Sequence, residues 1–309
     1  MLSLFFFCFE KHSSCMIEGV KNKREVFRVH TTGNYSIKCG PYQLDFSKKT
    51  YIMGILNATP DSFSDGGKYN NMEHAIKHAQ EMVENGADII DIGGESTRPG
   101  YTVISADEEI ERVVPVIEAI SKHVSVPISI DTYKAKVAQR AIEAGAHIIN
   151  DIWGAKADDK MAAVAAEYNV PIILMHNRHD RNYSFFIRDV LNDLYESINI
   201  VKQAGVRDEQ IILDPGIGFA KDLNENILMM QNLDTLTALG YPVLLGTSKK
   251  SMIGQALNLP VEERMEGTGA TVCYGVQKGC QIIRIHDVKE MSRMAKMMDI
   301  LMGKGVSHG

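Results

Sequence analysis

Apolar runs of strand length recur along this chain, and most close on a polar or glycine residue. From Tyr51 onward there are eight: Tyr51–Asn57, Asp88–Ile92, Val126–Asp131, His147–Ile152, Pro171–His176, Gln210–Asp214, Pro242–Gly246 and Gln281–His286. Between them, stretches such as Met72–Glu84, Asp107–Lys122, Lys134–Ala144 and Lys160–Tyr168 space their apolar residues with a helical period. Strands alternating with helices predict parallel pairing, because each return crossover needs the length of a helix. Eight such units fit the arithmetic of an α/β protein of the (β/α)8 TIM-barrel type. Gly86, Gly145 and Gly240 each stand between a helical stretch and the next strand, where a left-handed C-cap is expected.

Upstream, Val26–His30 and Tyr35–Cys39 flank Thr31-Thr32-Gly33-Asn34, which predicts a short N-terminal hairpin within residues 26–49. It precedes a barrel over residues 50–305 and is placed to cap its lower end. Residues 1–25 read as a leader. Its apolar start, Met1–Phe9, is too short to span a bilayer and lacks a basic flank. The two readings are an overlong start, with the true one at Met16, and a degenerate signal peptide. No other segment has the length and apolarity to cross a membrane.

Bulk composition narrows the class. With 45% hydrophobic and 23% charged residues, the 309-residue chain has the balance of a soluble protein with a sizeable core. A net charge of −6 argues against a general nucleic-acid or acidic-membrane binder. The five cysteines form neither a C-x-x-C pair nor a zinc spacing, so reduced thiols in a cytoplasmic protein are expected.

In a TIM barrel the C-terminal ends of the strands build the active site. Here those ends carry Asn57; Asp91 with Glu95; Asp131; Asn150 and Asp151; His176; Asp214; Ser248-Lys249-Lys250-Ser251; and Arg284 with His286. Arg284 and His286 are two apart and share one side of their strand, whereas Ile283 and Ile285 suit the helix-facing side. A buried arginine requires a bound anion, an aromatic partner or a salt bridge, with Asp131 or Asp214 as the partners in reach. The Asp214 carboxylate offers two coplanar acceptors, Asn150 a donor and an acceptor, and Lys250 a donor. Together they describe a site for a flat, amide-rich heterocycle. A second set, Asn57, Arg98, Arg284 and His286, is biased to positive charge and suits an anionic group such as diphosphate. Ser251 begins a helix and serves either that anion or plain N-capping. The Asn177–Ser184 segment, rich in Arg, His and Asn, is either a mobile active-site loop or a solvated surface loop.

These motifs resemble a known family. Asn57-Ala58-Thr59-Pro60-Asp61-Ser62-Phe63-Ser64-Asp65-Gly66-Gly67 is similar to the first signature of the dihydropteroate synthases, and Asp91-Ile92-Gly93-Gly94-Glu95-Ser96-Thr97-Arg98-Pro99-Gly100 to the second. Ser129–Thr132, Ile149-Asn150-Asp151, Leu174-Met175-His176, Asp214–Phe219, Gly246–Ser251 and Arg284–Asp287 follow in family order. The resemblance covers the chain from about Tyr35 to its C-terminus. It implies a Mg2+-assisted transferase, usually a homodimer. Such an enzyme joins 6-hydroxymethyl-7,8-dihydropterin diphosphate to p-aminobenzoate, the amine that sulfonamides mimic.

By that resemblance Asp131, Asn150, Asp214 and Lys250 hold the pterin, Arg284 stacks over its ring, and Met175 and Phe219 line the pocket. Asn57 ligates Mg2+ on the diphosphate, with Arg284 and His286 on phosphate oxygens. Thr97, Arg98, Pro99, Phe219 and Ser251 shape the p-aminobenzoate site, and Asp65 helps to close it. Asp131, Lys250, Arg284, His286 and Asp65 form the expected catalytic set. Ala58 replaces a bulkier aliphatic residue and Lys249 an arginine, neither with an assigned chemical role. The nearest rival is the pterin-binding methyltransferase domain of corrinoid enzymes, which has no use for the diphosphate and amine loops. A metal-dependent amidohydrolase would place an H-x-H pair where this chain has Asn57-Ala58-Thr59. A non-catalytic pterin binder would be expected to have lost Asn57, Asp65, Arg98 or His286, and all four are present.

Overall fold

A computed structural model describes residues 36–58, 68–95 and 103–305. The leader, the Val26–His30 strand, and site candidates Asp65, Thr97, Arg98 and Pro99 lie outside them. Strands β1 (Ser36–Cys39) and β2 (Tyr42–Asp45) form an antiparallel pair turned at Gly40-Pro41. The expected hairpin is therefore present, with Tyr42–Asp45 rather than Val26–His30 as the described partner strand. Eight parallel strands follow: β3 (Tyr51–Asn57), β4 (Ile89–Gly93), β5 (Ile128–Asp131), β6 (Ile148–Asp151), β7 (Ile172–Met175), β8 (Ile211–Asp214), β9 (Leu244–Leu245) and β10 (Ile282–Ile285).

They pair in the order β8-β7-β6-β5-β4-β3-β10-β9, and a parallel bridge from Leu213 to Val243 joins the two ends. Strands rich in Ile suit this arrangement, since both faces of a parallel sheet are covered. Between the strands run α1 (Lys68–Glu84), α2 (Ala106–Ile120), α3 (Ala135–Glu143), α4 (Met161–Glu167), α5 (Phe186–Gln203), α6 (Leu223–Gln231), α7 (Leu233–Thr237), α8 (Ser251–Leu257) and α9 (Met265–Gln277), with α10 (Val288–Leu301) after β10. This is the eightfold β/α alternation of a TIM barrel. Gly86, Gly145 and Gly240 adopt φ of +104°, +116° and +86°, the left-handed turn expected where helix gives way to strand.

The core divides in two. Outward-facing residues such as Ile90, Ile130, Ile149, Leu174 and Ile283 pack against the helices. Inside the barrel, Met53, Ile89, Ile148, Ile173, Ile212, Leu244 and Ile282 form an apolar layer with Ile37, Cys39, Leu44 and Phe46 of the hairpin segment. The hairpin therefore plugs the lower mouth. The Asp299 carboxylate on α10 ties down the chain as it enters β3, accepting from Thr50 N (2.6 Å) and Thr50 Oγ1 (2.7 Å).

Phe46 is 3% exposed and packs edge-on against Tyr51 at 5.4 Å. Phe46→Ala should cost about 3–5 kcal/mol of unfolding free energy, measured by urea denaturation.

Candidate active site

Period-two alternation decides what faces the interior above the apolar layer. Two residues beyond Ile89, Ile148, Ile173, Ile212 and Ile282 stand Asp91, Asn150, Met175, Asp214 and Arg284. Polarity thus switches between the first inward layer and the next. Register aligns the upper rungs: Asn57 with Gly93, Gly93 with Asp131, Asp131 with Asn150, and Met175 with Asp214.

Arg284 is the hub. Its Nε donates to Asp91 Oδ2 (2.6 Å) and its Nη2 to Asp131 Oδ2 (2.6 Å). Asn150 Nδ2 also donates to Asp91 Oδ2, at 3.2 Å. The salt bridge expected from sequence is present at Asp131, while Asp91 rather than Asp214 takes the second place. Asp91 Oδ1 and Asp131 Oδ1 are buried and have no hydrogen-bond partner among the described residues. Buried polar atoms are usually satisfied, so these two acceptors are suited to ligand N–H donors.

The charges perturb one another. Burial pushes the Asp131 carboxyl up to about 7, assisted by the nearby Asp91 charge and opposed by Arg284. Burial works against the Arg284 cation, yet Asp91 and Asp131 together hold its pKa above the ordinary value. Lys250 is pushed down to about 8 by burial, with Asp214 opposing, and burial also raises Asp214.

The turn after β8 brings Asp214, Phe219 and Lys250 together. Gly216 N donates to Asp214 Oδ1 (2.7 Å), which orients the carboxylate. Gly216 has φ of +67°, and a Cβ there would lie 2.0 Å from the His176 carbonyl oxygen. Only glycine fits that approach. Lys250 Nζ donates to the Ile217 carbonyl and sits 4.6 Å from the centre of the Phe219 ring. Met175 is buried next to them.

At the rim, Ser248 Oγ lies 2.9 Å from His286 Nδ1 and accepts from its backbone N–H (3.1 Å). Lys249 pairs with Asp287 (2.9 Å). Ser251 is exposed and opens α8, with Lys250 rather than Ser251 in the N-cap position. Two strand-end carboxylates have local duties. Asp151 accepts from Trp153 N (2.8 Å) and Ala155 N (2.7 Å), and Glu95 is bound by Lys134 and by Tyr133 Oη (3.0 Å).

The Lys221 side chain was not singled out by the sequence. It is 9% exposed, and its Nζ lies 2.7 Å from His176 Nδ1 and donates to the carbonyls of Gly216 (3.0 Å) and Phe219 (3.1 Å). Burial pushes Lys221 down to about 7 and His176 to about 4. Its one sequence signal was a lone cation directly after the Asp214–Phe219 motif.

Among the described residues no three His, Cys, Asp or Glu side chains converge on a metal position. Asn57 ends β3 with its side chain exposed beside this rim. Magnesium keeps most of its waters and is often held by one or two protein oxygens plus substrate phosphates. A single carboxamide oxygen at a diphosphate site fits that chemistry.

An eight-stranded β/α barrel with carboxylates, an amide and two cations converging at its C-terminal mouth defines an enzyme for a flat, hydrogen-bonding heterocycle. The model of the pterin-binding enzyme family matches residues 53–286. Dihydropteroate synthase from Bacillus subtilis (strain 168) is 62% identical over 270 residues, covering 87% of this chain and 95% of that protein. The synthase from Clostridium beijerinckii is 62% identical over 266 residues, covering 86% and 99%. The solved dihydropteroate synthase of Clostridium difficile, determined in the presence of pteroic acid, superposes with a TM-score of 0.82 at 48% identity, covering 84% and 98%. That of Xanthomonas albilineans, with 4-aminobenzoic acid, gives 0.83 at 36%, covering 87% and 99%. The chain belongs to the dihydropteroate synthase family of pterin-binding enzymes. It is a transferase with the activity of that family.

Because the folded-state pKa of Asp131 lies above its unfolded value of 3.8, the native state holds the extra proton between about 4 and 7. Stability contributed by the protonated form is present at low pH and falls as pH rises through that window. Asp131→Asn should flatten this fall, seen as a urea midpoint less dependent on pH than in the wild type.

Proposed function

We propose that the cluster around Arg284 binds the pterin of 6-hydroxymethyl-7,8-dihydropterin diphosphate, and that p-aminobenzoate attacks after the diphosphate has left. The observation that carries this reading is the convergence of Asp91, Asp131 and Asn150 around Arg284, with Asp91 Oδ1 and Asp131 Oδ1 left as buried acceptors without a partner among the described residues. A pterin presents adjacent N–H donors on one edge. Asp214 and Asn150 take that edge, Lys250 donates to a ring acceptor, and Met175 and Phe219 cover the apolar faces. Arg284, planar and held by two carboxylates with about a fifth of its side chain exposed, stacks over the ring. His286, Arg284 and Arg98 receive the diphosphate, and Asn57 would hold Mg2+ there. When bound, the ion neutralises charge on the leaving group.

No side chain is placed as a covalent nucleophile in this reading. The bond between the pterin methylene carbon and the diphosphate oxygen breaks, and its electron pair leaves with diphosphate. Asp131, as the carboxylate, stabilises the resulting delocalised cation electrostatically. The amine nitrogen of p-aminobenzoate then forms the new C–N bond and loses one proton. Thr97, Arg98, Pro99, Phe219 and Ser251 shape the amine pocket, and Asp65 helps to exclude water that would trap the cation.

Residues 50–305 form the catalytic unit, which pairs as a homodimer. Exposed Met265 and Tyr274 on α9 and Met294, Met297, Ile300 and Leu301 on α10 support that pairing, since they leave an apolar face on two packed helices. A cytoplasmic location is supported by the free thiols of Cys39, Cys273 and Cys280. No helix among the described residues is long and apolar enough to cross a membrane.

Diphosphate release from the pterin substrate with Mg2+, measured with and without p-aminobenzoate, tests the order of steps. Wild type should release diphosphate without the amine, and Asp131→Ala should slow release by about a hundredfold or more. Release that strictly requires p-aminobenzoate would replace the cation with direct displacement.

A further inference from the structure

The Asn177–Ser184 segment, left between two readings by the sequence, is tied to α5, to the turn that carries Asp214 and Phe219, and to the start of α6. Arg178 grips Asp193 of α5 through Nε to Oδ2 (2.5 Å) and Nη2 to Oδ1 (3.1 Å). The guanidinium carbon of Arg178 stands 4.6 Å from the Tyr183 ring centre, and Tyr183 Oη donates to the Ala220 carbonyl (2.8 Å). Arg181 bonds Asp222 Oδ2 (2.5 Å) and Glu225 Oε2 (3.2 Å), the two residues whose side chains form the capping box of α6.

A second path closes the circuit from inside. Asp193 Oδ2 lies 3.0 Å from His176 Nε2, and an ionised carboxylate only accepts, so that nitrogen carries the proton. His176 Nδ1 is then the acceptor facing Lys221 Nζ at 2.7 Å. An ammonium has three N–H donors, and Lys221 meets three acceptors: His176 Nδ1, Gly216 O and Phe219 O. Gly216 in turn aims its own N–H at Asp214 Oδ1. Arg178, Asp193, His176, Lys221, Ala220 and Tyr183 thus form a closed ring of contacts around the back of this turn. The ring's four hydrogen-bonded links join residues 15 to 45 positions apart in sequence, from Arg178–Asp193 to His176–Lys221.

We propose that residues 177–184 are a brace for the 214–221 turn, in which Arg178, Tyr183, His176 and Lys221 are positioning residues that hold Asp214 and Phe219 in their pterin-binding geometry. The proposal rests on the assignment of Asp214 and Phe219 to the pterin. A turn held in place before the ligand arrives avoids the ordering cost of binding, so loss of the brace is felt as weaker pterin affinity. The amine pocket shares only Phe219 with this turn, whereas the pterin takes both Asp214 and Phe219, so the pterin feels the loss more.

The test compares Arg178→Ala, Arg178→Lys and Tyr183→Phe with wild type. Three quantities are read: the dissociation constant of 6-hydroxymethylpterin by calorimetry, KM for p-aminobenzoate at saturating pterin diphosphate, and Tm. Arg178→Ala should weaken pterin binding by roughly tenfold and Tyr183→Phe by about threefold. Arg178→Lys should recover part of the loss, and KM for p-aminobenzoate should rise by a smaller factor than the pterin dissociation constant. Unchanged pterin affinity in a folded Arg178→Ala chain, or equal losses for pterin and amine, would overturn the brace. If Arg178→Ala does not fold, Tyr183→Phe decides by the same readings, since it removes a single hydroxyl. Failure of the wild-type chain to bind the pterin would overturn the underlying assignment as well, and the wild-type control separates that failure from loss of the brace alone.

Discussion

A guanidinium inside a barrel has to be matched in charge and in hydrogen bonds, because an unpaired buried cation is prohibitively costly. Arg284 meets that requirement with Asp91 and Asp131, drawn from strands β4 and β5 on the opposite side of β3. The pairing fixes where these carboxylates point and leaves one oxygen of each without a partner among the described residues. Matching the arginine therefore creates the hydrogen-bonding surface of the site. Burial, with the neighbouring Asp91 charge, outweighs the single shared cation and shifts the Asp131 pKa upward.

Below this polar layer the barrel is plugged by Ile37, Cys39, Leu44 and Phe46, so solvent and ligand have access from the other mouth. Above it, the β8 turn is held by lysines from two directions. Lys221 binds the Gly216 and Phe219 carbonyls from behind, and Lys250 binds the Ile217 carbonyl from the site side. The same backbone thus serves both as scaffold and as the mount for Asp214.

Much of this was legible in the chain because its signals are local. Each apolar run ended within a few residues of an observed strand, and the inward partners Arg284 and His286 followed from spacing alone. Asn150, Asp214 and Lys250 were visible as strand-end polar groups. The pairing of Ser36–Cys39 with Tyr42–Asp45 turns on Gly40-Pro41 alone, with Gly40 at φ of +59°, and the expected Val26–His30 strand lies outside the described residues. The choice of Asp91 over Asp214 for Arg284 depends on strand register, which no local pattern encodes. Lys221, Asp193 and Tyr183 escaped for a related reason. Each is an ordinary polar residue in sequence and gains its role only from partners on other elements.

In the proposed function, the mouth of the barrel reads a pterin edge through a carboxylate acceptor at Asp214. Calorimetric titration of 6-hydroxymethylpterin into wild type and Asp214→Asn tests it most directly. The amide keeps the shape of the side chain but turns one acceptor into a donor facing ring N–H groups. The account predicts one-to-one binding by wild type and a loss of roughly a hundredfold or more in the variant. Equal affinity in the two proteins would contradict it and move the pterin away from β8.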